Sequence, residues 1–522
     1  MKPTVHGGLC TRARLALPHY WIAALLAIVS FQANAADHPM WGGTPSRNMV
    51  SSETGLPDSF EPGKKKPGSE EVDMATTKNV RWVAKLGSQA YGNPTISGGK
   101  VFAGTNNESP RDPKFKGDYS MLMAFDETSG KYLWQLAVPK LGTGKVSDWE
   151  FLGLCSSPHV EGDRAYILTN RCEVLAADVN GMENGNNGEF KDEAKYFAGP
   201  DKPPVEVGKS DGDIIWRYDM REELGVFPHN ITSSSVLIVG DRLYANTSNG
   251  QDWSHVNIPS PQAPALVCLD KQSGKYLAEE ASGISTRLFH GNWSSPAYGE
   301  VNGKGQIIFG AGDGFVYGFD PAPPESGDEI RPLEEIWRYD CNPPEYRNVK
   351  YPDANGPSEV IATPVFWKNR VYVAIGQDPE HGDGVGILHC IDATKTGDVT
   401  EEGKVWSYQD IGRSISTVSI TDDGLLFVAE YAGKIHCLDA ETGKPYWVHD
   451  TQAHIWGSTL VADGKVYIGT EDGSFFVFGA EKEKKLLSQT DLGEPVYATP
   501  VAANGVLYVQ TPTQLYAIAQ EK

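Results

Sequence analysis

The 522-residue chain contains no Cys-x-x-Cys pair and no Cys-x-x-Cys-His haem-attachment motif. Those absences exclude the common thiolate zinc sites, dithiol redox chemistry and covalently held haem. Positive charge is also short: Lys+Arg number 46 against 68 Asp+Glu, a formal net charge of −22. That balance disfavours nucleic acid and anionic lipid surfaces as partners. The longest apolar stretch, around Trp21–Phe31, is too short to span a bilayer, so no transmembrane anchor is expected. No Ser-His-Asp arrangement and no phosphate-binding Gly loop can be read from the chain.

What stands at the start is a secretory signal. Arg12 and Arg14 precede the apolar stretch, and Ala33-Asn34-Ala35 supplies a small-x-small cleavage site. Residues 1–35 are therefore expected to be removed, leaving a secreted or periplasmic protein, expected to be monomeric. Cys10 lies before the apolar stretch, where it cannot serve as a lipoprotein acylation site, so no lipid anchor is expected. Of the six remaining cysteines, Cys155 and Cys172 flank one hairpin turn and form a disulfide candidate in an oxidising compartment. Cys268, Cys390 and Cys437 recur at one place in three repeats, which suggests small core residues and not a metal cluster.

The dominant pattern is a repeated fifteen-residue phrase, as in WGSTLVADGKVYIGT (456–470) and YATPVAANGVLYVQT (497–511). Each copy is an alternating apolar run, a tight turn on Gly, Asn or Asp, and a second alternating run, which spells a β-hairpin. Aligned on their fourth residue, the copies fall at Pro94, Pro158, Val236, Pro296, Pro364, Val418, Thr459 and Pro500. The closing intervals of 41 residues give the bare unit. A third strand follows each hairpin and ends in Asp plus a turn, as in MAFDETSGK (123–131), and a fourth begins near a Trp. Four strands in about 40 residues make a propeller blade. The expected fold is all-β, an eight-bladed β-propeller of four-stranded antiparallel blades over residues 79–519.

Closure is legible as well. The chain after Pro500 holds only three strands, and the missing fourth is NVRWVAKL (79–86), with Trp82. The N-terminal strand should complete the last blade and leave no open edge. Segment 36–78, rich in Pro, Gly and charge, is expected to run extended along the outside of the ring.

Strand order converts insertions into geometry. Loops between second and third strands and between blades share one face, the upper face. The long stretches 106–120, 249–264 and 377–386, with 139–154, 220–233 and 340–360, all land there, and long loops on a rigid scaffold usually carry function. The candidates for ligand binding on this face are His229, Asn230, Asp252, Trp253, His290, Asn292, Trp293, Glu359, Asp378, Glu380, His381, Arg413 and Trp456, with His255 nearby. A ring of His, Trp and carboxylate around an axial funnel suits a planar or polar ligand, with or without a metal.

The D-x-x-[ST]-G-K-x-x-W phrases with hairpins of the S/T-P type resemble PQQ-type β-propeller repeats. Such repeats occur in quinoprotein alcohol dehydrogenases and in the BamB-like propeller of outer-membrane barrel assembly. The resemblance covers 79–519 and implies a fold more firmly than an activity. LYANTSNGQDWSHVN (243–257) resembles the dehydrogenase segment that supplies an Asn near calcium, with Asn249 or Asp252 as its counterpart; Asn249, Asp252, Asp378 and Asp383 are the metal candidates. RLFHGNWSSPAYG (287–299) resembles the segment carrying the proposed base, but Gly291 or Asn292 stands at that position and neither accepts a proton. The adjacent-cysteine disulfide of those enzymes is replaced by Cys155-Ser156-Ser157. The leading expectation is thus a non-catalytic binding or assembly platform, needing no cofactor, for an envelope protein, glycan or small molecule. The alternatives are a PQQ- and Ca2+-dependent oxidoreductase with a base among His290, Glu380, His381 and Asp383, and a carbohydrate-active enzyme using Asp252 with Asp378 or Glu380.

Overall fold

Eight four-stranded antiparallel units follow one another round a ring in the computed structural model, which describes residues 36–321 and 330–520. The signal read over 1–35 lies outside the described residues. Blade one shows the pattern: Thr95–Ser97, Lys100–Asn106, Tyr119–Asp126 and Tyr132–Pro139, each hydrogen-bonded to the next. The first strand of each blade is innermost. Second and third strands are buried on both faces, as in Leu425–Ala429, because each blade is sandwiched between two neighbours. Cys268, Cys390 and Cys437 sit there, buried, opposite Ala278, Trp406 and Trp447.

The ring closes as expected. Val80–Lys85 pairs antiparallel with Gln514–Ile518, Trp82 standing opposite Ala517. What the tryptophans do is visible only in three dimensions. The indole Nε1 of Trp82 donates to Glu127 O of blade one at 2.9 Å. Trp134, Trp216, Trp406 and Trp447 donate in the same manner to Val179 O, Lys271 O, Ala440 O and Glu481 O of the following blade. The ring thus lies over the next blade's turn, where Gly274 (φ +71°) leaves room that a Cβ would fill, 2.5 Å from the Trp216 ring. Asp270 shapes that turn by accepting from the backbone N–H of Ser273. The repeated Asp-to-Trp phrase is therefore a blade-to-blade clasp.

One expectation needs correction. Residues 38–51 do not run along the outside; they cross the axis at the face opposite the long loops. His38 pairs with Ile96, Pro39 O accepts from Val160 N, Pro45 O from Tyr298 N, Ser46 O from Phe366 N, and Met49 O from Val461 N. Asn48 Oδ1 accepts from Ile420 N, and Ser51 Oγ donates to Ala502 O. Arg47, fully buried, donates to Val236 O and Pro296 O and back to Trp41 O. All eight innermost strands are touched. The physical reason is that those strands present unpaired backbone groups toward the axis, and an extended segment satisfies them. Only after Leu56 does the chain move outward, over blades seven and eight, where Phe60 packs edge-on to Phe475.

Among the described residues no helix is long and apolar enough to cross a membrane.

Candidate functional site

Three loop segments are laced together on the upper face. His229 N donates to Ser248 O, Gly250 N to Phe227 O, and Gln251 N to His290 O. The approach is close because residue 250 has no side chain: a Cβ there would lie 2.5 Å from His229 Cβ and 2.8 Å from His290 O. The lacing draws His229 and His290 to a ring-centroid separation of 4.2 Å. The 249–264 loop adds His255, 4.9 Å from His290, and the 377–386 loop adds His381, 4.4 Å from His290. Arg413 fixes the latter loop by donating to Gly382 O and Asp378 O. Three imidazoles, of His229, His255 and His381, thus gather around that of His290.

Their protonation is constrained by geometry. His229 Nδ1 lies 2.5 Å from Gln251 O, so it carries the proton and Nε2 presents a lone pair. His381 Nδ1 faces Asp378 Oδ1 at 3.2 Å, which leaves its Nε2 as acceptor. His290 Nδ1 meets the Tyr351 hydroxyl at 3.2 Å. The Nε2 atoms of His229 and His290 are buried with no hydrogen-bond partner. Burial holds His229 down to about 4 and His290 well below the usual imidazole range, with the neighbouring rings adding to the effect on His290. His255 is also lowered, first by desolvation and then by His381. Beside the cluster, Glu359 is fully buried with both carboxylate oxygens unpaired, 3.7 Å from His290 Nδ1, and desolvation raises it to about 8.

Next to the cluster opens a blind funnel of about 480 Å3 on the ring axis. Its floor is Trp41 of the axial segment, whose Nε1 donates to Thr363 Oγ1. Tyr91, Trp293, Trp456 and Tyr497 line the walls, Tyr91 and Tyr497 stacked at 4.8 Å. Asp378, Glu380 and Glu471 line it too, and among the described residues no Lys or Arg does. Ser157, Ser235, Ser295, Thr363 and Thr417, at the starts of successive innermost strands, supply hydroxyl groups.

The residues singled out in the sequence divide accordingly. Asn230, Trp293, Asp378, Glu380 and Trp456 line the funnel; His229, His290, Asp378 and His381 build the cluster, and Glu359 backs it. Asp252 and Trp253 do not join them. Asp252 accepts from Ser254 and Asn257 of its own loop, and Trp253 is 63% exposed. Asn249 and Asn292 are structural: Asn249 donates to Ser260 O and accepts from Phe227 N, while Asn292 donates to Asn249 O and accepts from Gly312 N. Asp383 is exposed and faces Arg413 at 3.5 Å. The Cys155–Cys172 disulfide is not formed; both thiols are free. Cys155 lines the funnel, whereas Cys172 lies past the paired strands and donates to Thr247 O of blade three. Equal spacing from the turn did not place them opposite one another, because neither is in the ladder. Sequence reasoning missed Tyr351 and the floor residue Trp41, which stand outside the repeat phrases, and also Tyr91 and Tyr497, which open two of those phrases and were read there as part of the repeat.

Comparison with known proteins adds the following. A family model described as outer membrane protein assembly factor BamB matches residues 72–188 and 334–518. Over 135 residues the chain is 27% identical to a 1-butanol dehydrogenase (cytochrome c) of Thauera butanivorans, covering 23% of this chain and 20% of that enzyme. Over 111 residues it is 24% identical to a quinohemoprotein alcohol dehydrogenase of Comamonas testosteroni, covering 19% of this chain and 16% of the enzyme. The chain thus matches a fifth or less of the length of these curated relatives. Among solved structures, BamB from Moraxella catarrhalis superposes with a TM-score of 0.51 at 13% identity, over 85% of this chain and 97% of that one. The quinohemoprotein alcohol dehydrogenase ADHIIG from Pseudomonas putida HK5 gives 0.58 at 13% identity, over 92% and 80%. At such identities the likeness is one of fold.

Proposed function

Because the chain belongs to the PQQ-repeat β-propeller family whose model is described as outer membrane protein assembly factor BamB, we propose that it works as an extracytoplasmic binding propeller. Its ligand is a neutral or positively charged, ring-bearing molecule, a saccharide in the first instance, taken up in the upper funnel. The observation that carries this reading is the funnel's lining: aromatic walls and floor, hydroxyl groups below, three carboxylates and, among the described residues, no basic side chain. Aromatic faces stack on the apolar faces of sugar rings, and hydroxyls and carboxylates take up the ring's own hydroxyls.

The second reading, a PQQ- and calcium-dependent oxidoreductase, is suggested by the dehydrogenase relatives. The residues here do not fit those groups. PQQ is a planar tricarboxylate, and the funnel would meet it with three carboxylates and no cation. Calcium takes oxygen ligands. Asn249 has its amide committed to the backbone, Asp252 closes its own loop, and the buried cluster offers imidazole nitrogen.

Titration calorimetry of the purified protein against neutral and amino-sugar oligosaccharides, and against PQQ with and without calcium, separates the two. Saccharide binding that Trp456→Ala weakens supports the proposal. Calcium-dependent PQQ binding with dye-linked alcohol oxidation, and no saccharide binding, would overturn it.

A further inference from the structure

The geometry points to a transition-metal site that goes beyond the binding reading above: His229, His255, His290 and His381 hold one divalent first-row ion of the zinc or copper kind. Ligand atoms of His229, His255 and His290 lie within 4.8 Å of one another, as do those of His290, Asp378 and His381. His290 belongs to both groups. His255 Nδ1 and His381 Nε2 are 3.4 Å apart. Two nitrogens on one tetrahedral ion with bonds of about 2.0–2.1 Å stand roughly 3.3–3.4 Å apart.

The unpaired atoms argue for an occupant. His229 Nε2 and His290 Nε2 are buried and without partners, on side chains 1% and 0% exposed. A buried lone pair left unmet is destabilising, and two of them lie on adjacent rings. The remaining nitrogens are set by groups of the kind that orient metal-bound imidazoles: the Gln251 carbonyl on His229, the Asp378 carboxylate on His381 and the Tyr351 hydroxyl on His290. Nitrogen donors with an adjoining carboxylate suit zinc, copper, nickel or iron and do not suit calcium or magnesium. The Trp293 ring packs on His290 at 5.0 Å and also lines the funnel, so the site lies against the funnel wall.

The test uses the purified full chain, stripped with a chelator, confirmed folded by circular dichroism and dialysed against zinc. Elemental analysis should find one zinc per chain, with calcium in excess failing to displace it. The copper-loaded protein should show electron paramagnetic coupling to several imidazole nitrogens. His290→Ala should lose the stoichiometric ion, and His381→Ala, on a half-exposed loop, keeps the test open if the buried variant fails to fold. Asp378→Asn should weaken zinc binding about 10–100-fold, and His449→Ala, on an outer strand of blade six, should leave it unchanged. Failure of the folded wild type to take up zinc or copper, or equal uptake by the wild type and His381→Ala, overturns the proposal. Saccharide titration does not enter the test, so it stands or falls apart from the binding reading.

Discussion

His255 Nδ1 stands 3.4 Å from His381 Nε2, although 126 residues separate them in the chain. Two loops from different blades meet tip to tip, and an ion seated between them ties blade three to blade five. Zinc at about 100 times its Kd is expected to add about 2.7 kcal/mol to stability, read as a higher Tm that a chelator reverses. His255→Ala should lose most of that gain. An unchanged Tm on adding zinc would count against a shared ion.

Arg47 anchors the axial segment. Its guanidinium reaches the starts of the innermost strands of blades three and four, and its three hydrogen bonds go to carbonyl oxygens. Burial lowers it to about 9. Arg47→Ala strands three carbonyls and should lower stability by about 2–4 kcal/mol, measured by denaturant unfolding. Arg47→Lys should recover little, since an ammonium lacks the planar fork that spans the carbonyls. Full recovery with Lys would show that charge alone matters.

The Trp clasp gives a paired prediction. Gly274→Ala forces a methyl onto the Trp216 ring at a left-handed backbone position (φ +71°) and should cost about 2 kcal/mol or more. Gly240, at φ +60°, has nothing within 4 Å of an added Cβ, so Gly240→Ala carries only the backbone cost of about 1–2 kcal/mol. Thermal melts of the two variants should differ, with Gly274→Ala the lower.

Acid should loosen the ring through buried neutral imidazoles outside the site. Burial lowers His38 to about 4 and His389 to about 4, and burial followed by Arg47 lowers His159 to about 3, from 6.5. The unfolded chain binds the proton first, so this stability is complete above pH 6.5 and is lost as pH falls through 6.5 toward 4 and 3. Between pH 7 and 4.5, His159→Gln should lose up to about 2 kcal/mol less than the wild type. Parallel stability–pH curves for the two proteins would show that His159 does not titrate this way.

In the funnel, Trp456→Ala should weaken a bound saccharide by about 10-fold, the loss of an aromatic stacking contact of about 1.4 kcal/mol. Trp253→Ala should change nothing, since that side chain is 63% exposed on a loop outside the funnel. Calorimetry on both variants decides.

Much of the site was legible in part. The upper face, and on it His229, His290, Trp293, Asp378, Glu380, His381 and Trp456, follow from strand order and insertion length, because period-two patterning fixes where each strand turns. The convergence of the histidines does not follow. It depends on Gly250 letting two loops touch and on Arg413 holding a third, contacts between segments with no shared repeat. Cys155 and Cys172 make the same point from the other side, since symmetric spacing about a turn predicts a cross-strand pair only while both residues stay in the ladder.

Sequence by itself determined the eight blades, the N-terminal strand that closes them, the buried cysteines of the third strands and the loop-bearing face. Each of these is local patterning, and local patterning is written in consecutive residues. Tertiary structure alone decided that residues 38–51 floor the axis, that Trp82, Trp134, Trp216, Trp406 and Trp447 clasp the next blade, and that histidines from separate loops gather around His290. Those are packing outcomes between distant segments, set by which unpaired backbone groups and unfilled spaces the closed ring leaves to be met.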